Sequence, residues 1–121
     1  MTSDRPLILI VDDDEPTQKL LEVLMQRYGF RTVVAANGAA AIDRLRDGQF
    51  ACVILDLMMP EVGGHEVLAF LSETRRTVKV VVCTAAVPTR DEDFDANYVH
   101  AVVRKPFDIE QLAATVAGLV E

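Results

Sequence analysis

Five short apolar runs punctuate the chain, and each has the length of a buried strand. They are rich in β-branched residues and mostly continuous rather than alternating, which is typical of strands covered on both faces of a parallel sheet. The runs are Leu7 to Val11, Arg31 to Ala35, Ala51 to Leu55, Val78 to Cys83, and Ala101 to Val103. Together they predict a five-stranded parallel sheet.

The segment after the first run has the apolar spacing of a helix. Its stripe consists of Thr17, Leu20, Leu21, Leu24 and Tyr28. A proline is tolerated in the first turn of a helix, which accommodates Pro16, and Gly29 ends the pattern. The stripe predicts that these side chains pack against the sheet.

Four further segments predict helices, and the last of them is the clearest. There Asp108 is the expected N-cap, with Gln111 three residues later as its capping-box partner. In the helix between the cap Asn37 and Gly48, the predicted inward positions are Ala41, Ile42 and Leu45. In the following helix they are Val67, Leu68 and Leu71, and in the last helix they are Leu112, Val116 and Leu119. The remaining segment, Thr89 to Asn97, offers only Phe94 as an apolar anchor and predicts a short helix.

Alternating strands and helices predict an α/β fold. The expected architecture is a flavodoxin-like, doubly wound five-stranded parallel sheet of order 2-1-3-4-5 with five helices. No internal repeat or linker interrupts the sequence, so we expect residues 1–121 to form a single domain without an output domain. Ligands of such sheets collect at the carboxyl ends of the strands.

The charge balance excludes some functions. With 12 Lys+Arg against 19 Asp+Glu, the formal net charge is −7, and there is no basic run. Direct binding to nucleic acid or to an anionic membrane is therefore not expected. No apolar stretch is long enough for export or for a membrane span, which predicts a cytoplasmic protein.

Both cysteines, Cys52 and Cys83, lie inside apolar runs. This placement is typical of reduced core residues. On neighbouring parallel strands they would be roughly 10 Å or more apart, too far for a disulfide.

Acidic residues follow two of the predicted strands. Asp12, Asp13, Asp14 and Glu15 follow the first run, and Asp56 follows the third. Alone, the first group is as typical of a helix cap as of a site, and Asp56 is more typical of a cap or turn. In the predicted strand order, however, three carboxylates converge, which is stable only if protons are taken up or a cation lies among them. Oxygen ligands without a Cys/His cluster favour Mg²⁺ over zinc.

A hydroxyl and an ammonium follow the last two runs. Thr84 comes after the fourth strand and Lys105 after the fifth. Alone, each is more typical of an ordinary turn hydroxyl or a solvated lysine. Combined with the carboxylates and a divalent cation, they could bind a transferring phosphoryl group, with a carboxylate as the nucleophile.

Four motifs in this order and spacing resemble the receiver domain of two-component response regulators, and the resemblance covers essentially the whole chain. They are Ile8 to Asp13, Leu55 to Pro60 followed by Gly64, Thr84-Ala85, and Lys105-Pro106-Phe107. The resemblance implies a signalling domain rather than an enzyme acting on external substrates. It would catalyse only its own phosphorylation and dephosphorylation.

The resemblance also implies a role for each site residue. Asp56 would accept the phosphoryl group from a histidine kinase or a histidine phosphotransfer protein. Asp12 and Asp13 would hold Mg²⁺ together with Asp56 and the backbone carbonyl of Met58, with Asp13 the more direct ligand. Lys105 would pair with a phosphoryl oxygen, and the Thr84 hydroxyl would move onto the phosphate. The downstream effector is not identified by the sequence, and a homodimer is one assembly that the resemblance allows.

The chain departs from the family pattern in several places. Val102 stands where an aromatic residue is usual, so an aromatic switch coupled to Thr84 is not available. Val99-His100 replaces a small pair before the fifth strand, and Gly63 stands where an acidic residue often precedes Gly64. Met58 and Ala86 would flank the path of the attacking water, and neither can activate it, which favours a long-lived phosphoryl state.

Two other functions remain open at this point. A receiver-like interaction module that works without phosphorylation is suggested by Val102 and by the atypical fourth helix. A small phosphatase of the haloacid-dehalogenase kind is suggested because Asp12-Asp13-Asp14 also reads as Asp-x-Asp after a strand. The chain is short for that fold with a cap, and a nucleophile at Asp12 would leave Asp56 without a role.

Overall fold

The computed structural model of the chain describes residues 5–59, 63–74, 77–85 and 99–120. Within these ranges five strands and four helices follow one another as β1 (Leu7–Val11), α1 (Glu15–Arg27), β2 (Arg31–Ala35), α2 (Gly38–Asp47), β3 (Cys52–Leu55), α3 (Gly64–Thr74), β4 (Lys79–Thr84), β5 (Ala101–Arg104) and α4 (Ile109–Val120). The predicted helix at Thr89 to Asn97 lies outside the described residues, so α4 is the last of the five predicted helices. No helix in the described ranges is long and apolar enough to cross a lipid bilayer.

The strands form one parallel sheet in the order β2-β1-β3-β4-β5, which confirms the predicted fold class. The register places Val11 of β1 beside Leu55 of β3, and Leu55 beside Val82 of β4. On the far side of β4, Thr84 is level with Arg104 of β5. The residues that follow β1, β3 and β5 therefore leave the sheet at the same edge.

The sheet is covered on both faces. Ile8 and Ile10 of β1 belong to a core cluster that includes buried residues of α1 and α4. Leu9 and Val11 belong to a second cluster with buried residues of α2 and α3. Because successive strand residues point to opposite faces and both faces are buried, the strands are continuously apolar.

The inward face of α1 differs from the predicted stripe. Its buried residues are Leu21, Leu24 and Met25. Leu20 is 45% exposed and Tyr28 is 48% exposed, so the prediction was wrong for these two residues. Leu20 is about 100° around the helix from Leu21. Tyr28 is the C-cap residue, where the chain leaves the helix.

Side-chain caps fix the helix starts at the sheet's carboxyl edge. Asn37 accepts a hydrogen bond from the backbone N–H of Ala40 at 2.8 Å, and Asp108 accepts one from that of Gln111 at 2.9 Å. Both were predicted as caps. These bonds satisfy donors that a helix leaves unpaired in its first turn.

The two cysteines are buried and free. Cys52 is level with Lys79, and Cys83 is four residues further along β4. At ~3.3 Å per residue this offset separates them by more than a disulfide can span, as predicted. Burial raises the pKa of the Cys52 thiol to about 12 and that of Cys83 to about 11.

His100 joins the start of β5 to β4 through two hydrogen bonds. The backbone N–H of Val80 donates to His100 Nδ1 at 3.1 Å, and the backbone N–H of His100 donates to the Val80 carbonyl at 2.8 Å. Burial, with a smaller contribution from the charge of Lys79, lowers the pKa of His100. The neutral imidazole is the form that accepts the bond from Val80.

We expect Met25→Ala to destabilise the fold far more than Leu20→Ala. Met25 is completely buried, so truncation leaves a cavity and should cost about 2–5 kcal/mol of unfolding free energy. Leu20 is half exposed, and its truncation should cost about 1 kcal/mol or less. Urea denaturation of both variants measures the difference. Equal losses would contradict the observed orientation of α1.

The lowered pKa of His100 predicts a loss of stability in mild acid. The unfolded chain takes up the imidazole proton near its ordinary pKa of about 6.5, whereas the folded chain takes it up only at lower pH. The stabilisation is therefore present above about pH 6.5 and is lost as the pH falls below that value. Urea denaturation midpoints should fall less between about pH 7.5 and pH 5.5 in His100→Gln than in the wild type. The matched control is His65→Gln on the exposed face of α3. An equal fall of the urea midpoint with pH in the wild type and in His100→Gln would contradict the prediction.

Candidate functional site

Three carboxylates meet at the carboxyl edge of the sheet. Oxygen atoms of Asp12, Asp13 and Asp56 all lie within 4.8 Å of one another. Asp12 is 2% and Asp56 is 5% exposed, whereas Asp13 is exposed. The convergence expected from the strand order is therefore present.

Lys105 links two of these carboxylates. Its Nζ atom lies 2.6 Å from Asp12 Oδ2 and 3.4 Å from Asp56 Oδ2. Burial by itself lowers the pKa of Lys105, but the hydrogen bond to Asp12 and the charges of Asp12 and Asp56 outweigh burial and raise it. The ammonium therefore remains protonated at neutral pH.

The carboxylates of the cluster outnumber its single ammonium group. Counted formally, three carboxylates and one ammonium carry a charge of −2. Hard oxygen ligands with excess negative charge suit a divalent cation such as Mg²⁺. The donor set of Asp12, Asp13 and Asp56 therefore fits the predicted metal.

The turn that follows each strand fixes its aspartate. Asp12 Oδ1 accepts the backbone N–H of Asp14 at 2.9 Å, and Asp56 Oδ1 accepts that of Met58 at 3.0 Å. The backbone N–H of Asp56 donates to the Val11 carbonyl at 3.0 Å, which continues the pairing between β1 and β3 beyond the strands. Both carboxylates therefore have a defined orientation.

Asp14 has a different role from its two acidic predecessors. It is the N-cap of α1, and its side chain accepts hydrogen bonds from the hydroxyl and the backbone N–H of Thr17. The hydrogen bond from the Thr17 hydroxyl, and to a smaller extent the one from its backbone N–H, lowers the pKa of Asp14. It belongs to the helix end rather than to the carboxylate cluster.

The structure places Thr84 next to Lys105. Thr84 is completely buried at the end of β4, and its carbonyl accepts the backbone N–H of Lys105 at 3.0 Å. The Lys105–Pro106 peptide bond is cis. The predicted hydroxyl and ammonium therefore come from adjoining strand ends.

The predicted residues around the site have different surroundings. Met58 is 61% exposed, and its backbone N–H holds Asp56. Ala86 lies outside the described residues. Val102, where the resemblance expects an aromatic residue, is 42% exposed on β5.

The start of α3 packs directly against the segment that carries Asp56. A Cβ atom on Gly64 would lie 2.6 Å from the Asp56 carbonyl oxygen and 2.7 Å from Leu57 Cα. Only glycine permits this approach. At Gly63 a Cβ atom would meet its nearest neighbours at 3.4 Å, an ordinary contact distance. The backbone N–H of Gly63 donates to Glu66 Oε2 at 2.8 Å, which helps to cap α3 and was not predicted.

Comparison with known proteins identifies the family of this chain. The profile of the family described as the response regulator receiver domain matches residues 8–117. The chain is 32% identical over 111 residues to the uncharacterized transcriptional regulatory protein YkoG of Bacillus subtilis, covering 90% of this chain and 48% of YkoG. It is 32% identical over 114 residues to the transcriptional regulatory protein SrrA of Staphylococcus aureus, covering 93% of this chain and 47% of SrrA.

A solved structure shows the same architecture. The response regulator protein TrrA from Thermotoga maritima, in complex with Mg²⁺-BeF, superposes with a TM-score of 0.84 at 29% identity, covering 94% of this chain and 98% of TrrA. The chain belongs to the response regulator receiver domain family, and is thus a signalling domain of two-component systems. It spans about half the length of the curated relatives it matches.

The contrast between the two adjacent glycines predicts different effects of an added methyl group. Gly64→Ala should cost about 1–3 kcal/mol because the backbone of Asp56 and Leu57 must move. Gly63→Ala, the matched control, should cost less than about 1 kcal/mol. Urea denaturation measures both. Amide chemical shifts of Asp56, Leu57 and Met58 should change more in Gly64→Ala. The reverse order would contradict the observed packing of α3.

Proposed function

We propose that Asp56 is the phospho-acceptor of this receiver domain and that its phosphorylation requires Mg²⁺. The donor would be a histidine kinase or a histidine phosphotransfer protein. One observation carries the proposal, namely that Lys105 Nζ lies between Asp12 and Asp56 within a cluster of three carboxylates. The cluster combines a nucleophile, ligands for a cation and a fixed positive charge.

The metal ligands in this proposal are Asp12, Asp13, Asp56 and the backbone carbonyl of Met58. When bound, Mg²⁺ would offset the negative charge of the carboxylates and of the incoming phosphoryl group. The Mg²⁺-BeF complex of TrrA supports this assignment.

The chemistry requires little beyond positioning. A carboxylate oxygen of Asp56 forms the new bond to phosphorus as the bond from phosphorus to the donor's imidazole nitrogen breaks. The imidazole leaves with that electron pair. The raised pKa of Lys105 keeps its charge beside Asp56, where it stabilises negative charge on the phosphoryl oxygens.

Phosphorylation would then change the balance around Lys105 and Thr84. The phosphoryl group adds about −1.5 to −2 charge at neutral pH, with new acceptor oxygens. Lys105 would exchange its ion pair with the Asp56 carboxylate for one with the phosphoryl oxygens while keeping Asp12 as a partner. The Thr84 hydroxyl would move onto the phosphate and draw in the end of β4. The resulting change would control a partner or effector. The transcriptional regulatory relatives favour transcription as the regulated process.

The phosphatase interpretation loses its basis because the chain belongs to the receiver family. The phosphorylation-independent module remains an alternative, which a partner bound equally by the wild type and Asp56→Asn would favour.

Acetyl phosphate provides a test that needs no cognate kinase. We expect intact-mass spectrometry to show one added phosphoryl group on the wild type with Mg²⁺ present and none after chelation. Asp56→Asn should abolish the adduct because an amide is a poor nucleophile. The matched control is Asp14→Asn, which removes an acid from the same edge and should keep the adduct. An adduct that persists in Asp56→Asn, or no adduct on the wild type with Mg²⁺, would overturn the proposal.

A further inference from the structure

We propose that Gln18 is a positioning residue. It orients Asp12 and Asp13, two of the proposed metal ligands, through a hydrogen bond to the peptide between them. Its side-chain amide nitrogen Nε2 lies 2.6 Å from the backbone carbonyl oxygen of Asp12. The role in metal binding rests on the proposed function. Gln18 belongs to none of the motifs that carry the resemblance, and sequence reasoning did not identify it.

The position of Gln18 in α1 lets its side chain reach back over the helix start. Its backbone N–H donates to the Asp14 carbonyl at 2.9 Å as part of the first turn. Its side chain, partly buried, extends to Asp12, six residues earlier. Gln18 therefore joins α1 to the end of β1 across the acidic loop.

The contact completes a set of four hydrogen bonds around Asp12. Its backbone N–H donates to the Ala35 carbonyl at 3.2 Å, and its two carboxylate oxygens accept from the Asp14 N–H and from Lys105 Nζ. Gln18 holds the remaining atom, the carbonyl oxygen. This is the atom that sets the plane of the peptide between Asp12 and Asp13.

The orientation of this peptide determines where Asp13 points. A peptide is planar, so fixing the Asp12 oxygen also fixes the direction in which the chain enters Asp13. Asp13 is exposed, and packing holds it less than it holds Asp12 and Asp56. Partners that orient a metal ligand strongly affect metal affinity.

Gln26 offers a matched control on the same helix. Its Nε2 atom donates to Thr32 Oγ1 at 3.0 Å, near the opposite end of α1. Methionine has nearly the length and helix propensity of glutamine but lacks the donor. Gln18→Met and Gln26→Met therefore each remove one amide hydrogen bond, and only the first bond touches the acidic loop.

Mg²⁺ binding and hydrogen exchange of each variant test the proposal, and the melting temperature is the control for stability. Isothermal titration with Mg²⁺ should show about tenfold weaker binding in Gln18→Met and unchanged binding in Gln26→Met. In metal-free protein, hydrogen exchange of the Asp14 amide, which donates to Asp12 Oδ1, should be faster in Gln18→Met only. Melting temperatures should fall by similar small amounts in both variants, so general destabilisation would not explain the difference.

Mg²⁺ affinity within about twofold of the wild type in Gln18→Met would overturn the proposal, as would equal losses in both variants. If the wild type itself bound no Mg²⁺, the proposed function would fail. Asp14 exchange in metal-free protein would then decide alone whether Gln18 orients the loop, with unchanged exchange refuting it.

Discussion

The rest of the site depends on the ion pairs that one lysine makes with two buried aspartates. Asp12 is 93 residues and Asp56 is 49 residues from Lys105 in the chain, so only the completed sheet brings them together. Removing Lys105 would leave both buried carboxylates without their positive partner, which is destabilising. The same contacts place positive charge beside the proposed phospho-acceptor. The ion pairs of Lys105 therefore contribute both to the stability of the fold and to the proposed function of the site.

The sheet could be predicted from the sequence because burial on both faces leaves a simple apolar pattern. Observed strands agree with the predicted runs to within one residue at each end. The strand order then placed Asp12 and Asp56 side by side. Periodicity described α1 less well because Leu20 lies at the flank of the apolar face and Tyr28 lies where the helix ends. Neither effect is visible in the spacing of apolar residues.

The finer structure of the site depends on contacts that sequence patterns do not encode. Consecutive acids look alike in a sequence, yet Asp12 and Asp13 join the cluster while Asp14 caps α1. The helix after each acidic loop also contacts that loop, through Gln18 on α1 and Gly64 on α3. The first contact depends on side-chain conformation and the second on backbone separation, and neither follows from the order of residues alone.

The buried cysteines have a practical consequence for experiments. A thiol reacts as its thiolate, and Cys52 and Cys83 combine burial with pKa values of about 12 and 11. Maleimide dyes and nitroxide labels should therefore not react with either thiol in the folded protein. A single cysteine introduced on an exposed helix face would carry the label selectively, without prior replacement of the native pair. Spectroscopic distance measurements can thus use the otherwise unaltered sequence.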